Sequence, residues 1–129
     1  MTRYRLTVAA SVLMLAVTAA GAARADQYLG SYEARISDND HQASDGYALD
    51  TAAQMVRQDR ANWHKFGSGD AEDQGDQWFG STAARTRFES MLNKGSAMSA
   101  STRRRIVNGE PVVQVDVYRN SVKVTIIGN

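Results

Sequence analysis

The residues whose types could support chemistry are concentrated in one stretch of this chain, residues 57–79. The stretch contains both tryptophans, one of the two histidines and an acidic loop at residues 70–76. His41 and His64 could combine with the loop carboxylates as metal ligands or as acid–base groups in a small hydrolase. We keep this hydrolase as the alternative interpretation, because the chain lacks a His-Glu-x-x-His motif and any two histidines four residues apart.

The acidic loop follows the pattern of a calcium-binding loop over only part of its length. Asp70, Glu72 and Gln74 occupy alternate ligand positions, and Gly75 lies at the sharp turn of such a loop. The twelfth position, however, is Ser81, where the pattern requires a bidentate Glu. We therefore predict no metal ion and no other cofactor.

Other catalytic motifs are missing from the sequence. No serine stands in a Gly-x-Ser-x-Gly or Ser-x-x-Lys motif. The absence of cysteine excludes a thiol nucleophile, a disulfide and a zinc–thiolate site. The three consecutive arginines at residues 103–105 are typical of a solvent-facing turn. We predict no catalytic residue, and the sequence favours a protein that is not an enzyme.

Arg60 indicates a structural role for the acidic loop. It shares a helical stripe with Val56 and Trp63, where an apolar residue would be expected, and an unpaired buried charge is very costly. Asp59 points about 100° away around the helix, so the loop carboxylates are the expected partners of Arg60 or Arg57. We predict a structural ion pair that involves Arg57 and Arg60.

Aromatic residues flank the acidic loop on both sides. Such residues anchor a loop to a core, and they also form binding hot spots where they remain partly exposed. The sequence therefore predicts an anchored recognition loop. Its predicted partner-binding residues are Trp63, His64, Asp70, Asp73, Asp76 and Trp78.

The pattern of apolar residues predicts a strand, two helices, a short helical turn and a C-terminal hairpin. In chain order these elements cover residues 28–36, 47–66, 82–94, 102–107, 113–117 and 122–126. Ser44 or Asp45 is the predicted N-cap of the first helix. This order predicts an α+β fold, in which two helices pack on one face of a small, mainly antiparallel three-stranded sheet. The sheet combines the N-terminal strand with the C-terminal hairpin.

The position of the last strand has two alternatives. The strand lies at an open sheet edge, where it could accept a strand from another chain, or it pairs with the N-terminal strand. The sequence favours neither arrangement over the other.

The first 25 residues are typical of a cleaved bacterial signal peptide. Arg3 and Arg5 precede an uncharged apolar run, and residues 23–25 supply a small-x-small motif that predicts cleavage between Ala25 and Asp26. The run is short and rich in small residues, so we predict no stable membrane insertion after cleavage. Residues 26–129 then form a single domain.

Loss of the signal peptide changes the charge of the chain. It removes three of the 15 basic residues and none of the 14 acidic ones, so the net charge becomes −2. A nearly neutral, exported domain is a poor candidate for nucleic-acid binding. These features predict a small periplasmic or secreted binding or inhibitory module that recognises a protein or an envelope component.

Overall fold

The computed structural model describes residues 25–129, so the predicted signal peptide lies outside the described residues except for Ala25. The described chain contains three strands, three α-helices and one short 3-10 helix. In chain order these are β1 (Tyr28–Arg35), the 3-10 helix (Asp38–His41), α1 (Ala52–Phe66), α2 (Thr82–Leu92), α3 (Ala100–Asn108), β2 (Val112–Tyr118) and β3 (Val122–Gly128).

The three strands form one antiparallel sheet in the order β1-β2-β3. The predicted α+β fold with the N-terminal strand beside the C-terminal hairpin is therefore confirmed. Because β2 occupies the centre, β1 and β3 do not pair with each other. The last strand is thus an edge strand, which decides between the two arrangements that the sequence left open.

Strand alternation separates an apolar face from a polar face of the sheet. Tyr32, Val115 and Val124 lie side by side in the register and are all buried. Their neighbours Glu33, Gln114 and Thr125 form the next row on the opposite face, and Thr125 is exposed. Side chains of successive strand residues point to opposite faces, so one face supports the core and the other meets solvent.

The helices cover the apolar face and complete a single core. Each helix contributes fully buried side chains, among them Val56 of α1, Phe88 and Leu92 of α2 and Ile106 of α3. The rings of Phe88 and Phe79 stack with their centroids 3.9 Å apart. The core thus joins all three helices to the sheet and holds the chain between α1 and α2 beside them.

Helix α1 begins later than the sequence predicted. The predicted start at Tyr47 is wrong, and so are the caps proposed at Ser44 and Asp45, because Thr51 is the N-cap. The Thr51 side chain accepts a hydrogen bond from the backbone N–H of Gln54, and the Gln54 side chain reaches back to the N-cap. These two hydrogen bonds satisfy backbone N–H groups at the first turn of the helix. The pattern of apolar residues does not show where these bonds form, so it does not show where the helix begins.

The predicted helical turn near residue 104 is the centre of a complete helix, α3. Ser99 caps it by accepting from the backbone N–H of Thr102 at 3.1 Å, and Ile106 anchors it in the core. The helix adds to the two that the sequence predicted. Within residues 25–129, no helix has the length and hydropathy of a membrane-spanning segment.

Candidate binding surface

The acidic loop covers the outer edge of β1. Gln74 pairs with Glu33 in both directions: its backbone N–H donates to the Glu33 carbonyl at 2.8 Å, and its side-chain oxygen accepts from the Glu33 N–H at 3.0 Å. The Asp73 carboxylate accepts from the backbone N–H of Arg35 at 2.8 Å. An uncovered strand edge is a site for unwanted strand pairing, and the loop closes this one.

Asp76 is the hub that holds the loop against α1. Its carboxylate is fully buried and accepts from Arg60 Nη1 at 2.9 Å and His64 Nε2 at 2.7 Å. The other oxygen accepts from the backbone N–H groups of Trp78 and Phe79 at 2.8 and 2.7 Å. Burial opposes ionisation of Asp76, but these hydrogen bonds outweigh it and lower its pKa. The carboxylate is therefore held in its charged form.

Arg60 is completely buried and bonds to both its sequence neighbour and the loop. Its Nε donates to Asp59 at 2.7 Å, and its Nη1 also donates to the Gln74 carbonyl at 2.8 Å. The expectation that Asp59 points away from Arg60 is wrong, because the long arginine side chain can fold back along the helix. Burial raises the pKa of Asp59. The guanidinium also lies 4.1 Å from the centroid of the Tyr32 ring.

Arg57 does not contact the acidic loop. Its guanidinium lies 3.6 Å from Glu89 and donates to the Thr86 hydroxyl at 3.2 Å, and both partners belong to α2. Arg57 and Arg60 therefore take part in different contacts. Arg57 connects the two helices, whereas Arg60 connects α1 to the loop.

The two tryptophans fill spaces that only glycine leaves open. A Cβ atom placed on Gly30 would lie 2.8 Å from Cη2 of Trp78, and one placed on Gly69 would lie 2.5 Å from Cε3 of Trp63. Gly30 also has a φ of 154°, which L side chains rarely adopt. Trp63 and Trp78 are only partly exposed, and each packs against the backbone that it anchors.

The two histidines have separate structural contacts. The ring nitrogens of His41 face the backbone carbonyls of Ser37 at 2.7 Å and Ile106 at 2.8 Å, so His41 joins the 3-10 helix to α3. Both partners are backbone carbonyls, which accept hydrogen bonds from ring N–H groups. His64 contacts Asp76 instead. Within the described part of the chain, no three His, Asp or Glu side chains are grouped to hold a metal ion.

The remaining loop carboxylates differ in how many protein groups they already bind. Asp73 accepts from the backbone N–H of Asp70 as well as from that of Arg35, and Glu72 forms a 2.8 Å ion pair with Arg35. Across residues 25–129, the Asp70 carboxylate makes no hydrogen bond to another protein group. The partner-binding role of Asp70, Asp73 and Asp76 stays a prediction, and Asp76 would reach a partner only if the loop opened.

The largest cavity that we describe in residues 25–129 is an arginine-lined groove of about 690 Å³. Arg35, Arg104 and Arg105 line it, together with Glu110. Arg35 is engaged by Glu72 and by the Glu110 carbonyl, and Arg105 contacts the side chain of Asn129. Because these contacts occupy two of the three guanidinium groups, the groove is mainly a junction between α3 and the end of the sheet.

A second groove, of about 400 Å³, lies between α1 and the loop that precedes it. We call it the carboxamide groove, because four of its lining residues carry side-chain amides and none carries an ionisable group. The lining residues are Asn39, Gln42, Ala43, Ser44, Gly46, Gln58, Asn62, Phe66 and Ser68. Its volume falls within the range of small-molecule sites, roughly 300–1,000 Å³.

A chain of hydrogen bonds fixes the amides of the carboxamide groove. Asn62 donates to the buried Asp40 carboxylate at 2.9 Å and accepts from Gln58 Nε2 at 2.9 Å. Gln58 Nε2 also donates to the hydroxyl oxygen of Ser44 at 3.2 Å. The Gln58 carbonyl oxygen and the Ser44 hydroxyl proton remain available in this arrangement. The groove is thus preorganised and retains unused donors and acceptors.

Two further side chains of the carboxamide groove are free to bind. Within residues 25–129, the side-chain amides of Asn39 and Gln42 make no hydrogen bond to another protein group. Phe66 is 55% exposed, which is unusual for so large an apolar side chain. The sequence predicted only a helix cap, at Ser44 or Asp45, in the segment before α1 and did not indicate this groove. The pairing of Gln58 with Asn62 at helical i, i+4 spacing is the one signal that could have indicated it.

No protein-family model, curated protein or solved structure matches this chain significantly.

Proposed function

We propose that this protein is a small exported binding module that recognises a component of the bacterial envelope through the carboxamide groove. Export rests on the signal-peptide pattern of residues 1–25. Binding rests on the groove, where a fixed line of polar side chains retains unused hydrogen-bonding groups beside a half-exposed aromatic ring. Small-molecule sites generally combine an apolar contact with a few precisely placed polar groups.

The preorganisation of the groove is the observation that carries this proposal. Asn62 is attached to the buried Asp40 and in turn orients Gln58. A ligand therefore meets groups whose rotamers are already restricted, which lowers the entropic cost of binding. An exposed polar surface without such support would lose more side-chain freedom on contact.

The hydrolase remains the weaker candidate. His64 and Asp76 form a histidine–carboxylate pair at 2.7 Å, which is an arrangement found in general bases. However, His64 lines none of the five cavities that we describe in residues 25–129. A general base must lie within hydrogen-bonding reach of a bound substrate, and these cavities provide no such position for His64. His41 lines one of them, but both of its ring nitrogens face backbone carbonyls.

The binding function can be tested by nuclear magnetic resonance on residues 26–129. Backbone amide shifts are recorded while separate soluble fractions of the bacterial envelope are added. We expect one fraction to shift residues of the carboxamide groove, and we expect Gln42→Ala to weaken that response. Gln77→Ala is the matched control, because Gln77 is also an exposed glutamine but lies outside the groove. Shifts confined to other surfaces, or none with any fraction, would refute the proposal.

A further inference from the structure

The residues that line the carboxamide groove carry no charge. None of its nine lining residues is ionisable, although 22% of the residues in the chain are charged. Asp45 adjoins the groove in sequence, but its carboxylate accepts from the backbone N–H of Tyr47. A charged ligand group would gain no ion pair from the lining residues. An uncharged polar ligand needs none.

The available groups of the groove match a ligand that both donates and accepts hydrogen bonds. Each side-chain amide combines a donor NH₂ group with an acceptor oxygen, and a hydroxyl group combines both properties in one atom. Asn39 and Gln42 offer complete amides, whereas Gln58 offers its carbonyl oxygen. Ser44 offers its hydroxyl proton, since its oxygen already accepts from Gln58. A row of ligand hydroxyls would satisfy these groups together.

Phe66 adds an apolar surface to this polar lining. The residue is 55% exposed, and the Lys65 ammonium lies 5.2 Å from the ring centroid. A pyranose ring has a face of C–H groups that can lie flat against an aromatic ring, while its hydroxyls point outward to polar neighbours. The negative charge density of an aromatic face attracts such weakly positive C–H groups. Phe66 therefore supplies the contact that the amides cannot.

A peptide is the other neutral ligand with donors and acceptors. One common mode of peptide binding adds a strand to a sheet edge. No residue that lines the carboxamide groove belongs to β1, β2 or β3. The groove therefore lacks the continuous backbone ladder that this mode of peptide binding requires.

From these observations we infer that the carboxamide groove binds a neutral saccharide. The inference rests on the proposed binding function of the same groove and specifies the chemical class of its ligand. Ring hydroxyls occupy the amide positions, and the C–H face of one sugar unit covers Phe66.

Titration of residues 26–129 with defined probes tests the inference. The probes are tri-N-acetylglucosamine and maltotriose as neutral saccharides, trigalacturonate as an anionic saccharide, and trialanine amide as a peptide. We expect at least one neutral saccharide to shift the backbone amides of the groove saturably, and we expect trigalacturonate and trialanine amide not to do so. Phe66→Ala should weaken the Kd about tenfold, which corresponds to about 1.4 kcal/mol of stacking. Gln77→Ala should leave the Kd unchanged.

The outcomes separate this inference from the proposed function. If an envelope fraction shifts the groove but neither neutral saccharide does, the ligand class is wrong and the binding function stands. Saturable shifts with trialanine amide alone would reassign the groove to peptides. If neither the fractions nor the probes shift the groove, both proposals fail. Phe66 is exposed, so its replacement should preserve the fold, and the spectrum of the free variant checks this directly.

Discussion

Removal of the Asp76 carboxylate should destabilise the protein more than any other change in the acidic loop. Asp76→Ala leaves the fully buried Arg60 without its carboxylate partner in the loop, and removing one member of a buried ion pair costs about 3–5 kcal/mol. It also removes the acceptor for the N–H groups of Trp78 and Phe79. An unsatisfied buried donor costs roughly 1–3 kcal/mol. Because Asp59 still pairs with Arg60, we expect a total loss of about 4 kcal/mol.

Asp76→Asn separates the charge from the backbone contacts. The asparagine oxygen can still accept from Trp78 and Phe79, but its NH₂ group faces the donors of Arg60 and His64. We therefore expect Asp76→Asn to be destabilising but less so than Asp76→Ala. Glu72→Ala is the control in the same loop, because Glu72 forms only an exposed ion pair with Arg35. Such pairs contribute little, so its stability should stay close to that of the wild type.

Urea denaturation followed by tryptophan fluorescence measures these differences, since both tryptophans pack beside the loop. With a slope of about 2 kcal/mol/M, a loss of about 4 kcal/mol lowers the midpoint by roughly 2 M. The slope itself should change little if only stability is affected. Equal midpoints for Asp76→Ala and Glu72→Ala would refute the assignment of Asp76 as the structural hub. Such a result would leave partner binding as the predicted role of Asp76.

Two further predictions concern a buried acid and a glycine. Burial raises the pKa of Asp40 from 3.8 to about 6. The folded state therefore binds the Asp40 proton more tightly than the unfolded state does. The protonated carboxyl stabilises the fold fully below about pH 4, and this stabilisation is lost as pH rises through 6. Relative to Asp40→Asn, the wild type should thus lose about 3 kcal/mol of unfolding free energy between pH 4 and pH 7. Urea titrations of both proteins measure this loss. If the unfolding free energies of the two proteins differ by the same amount at every pH, the prediction is wrong. Gly30→Ala should lower the thermal midpoint more than Gly46→Ala. Both glycines have positive φ, but only the new Cβ at residue 30 meets Trp78. Equal midpoints would contradict this, because they would show that backbone strain alone accounts for the loss of stability.

The sheet was predictable because its pattern is local. Tyr32 and Ala34 alternate with polar residues in β1, and the valines of β2 and β3 do the same, so the apolar face can be identified from spacing alone. The start of α1 was not predictable at that level. Apolar periodicity extends back to Leu49, whereas the cap at Thr51 determines where the helix begins.

The candidate site was less accessible from the sequence than the fold. The spacing of Arg60 on an apolar stripe correctly indicated that a buried guanidinium needs a carboxylate, but it could not distinguish among the acidic residues of the loop. Asp76 is the one that reaches it, and Asp59 contributes as well. Arg57 lies only three residues earlier yet faces α2. Which carboxylate pairs with which arginine depends on the distances between separate elements in the folded protein, and the spacing of residues along the sequence does not give those distances.

The sequence by itself determined the α+β composition, the absence of cysteine chemistry and the position of the polar loop between two helices. These follow from residue type and from the periods of strands and helices. The tertiary structure alone decided that β3 is an edge strand and that the acidic loop covers β1. It also brought Asn39 and Gln42 beside Gln58 and Asn62 of α1 to form the carboxamide groove. These residues are distant along the chain, and they meet because burial of one shared core fixes how the elements pack.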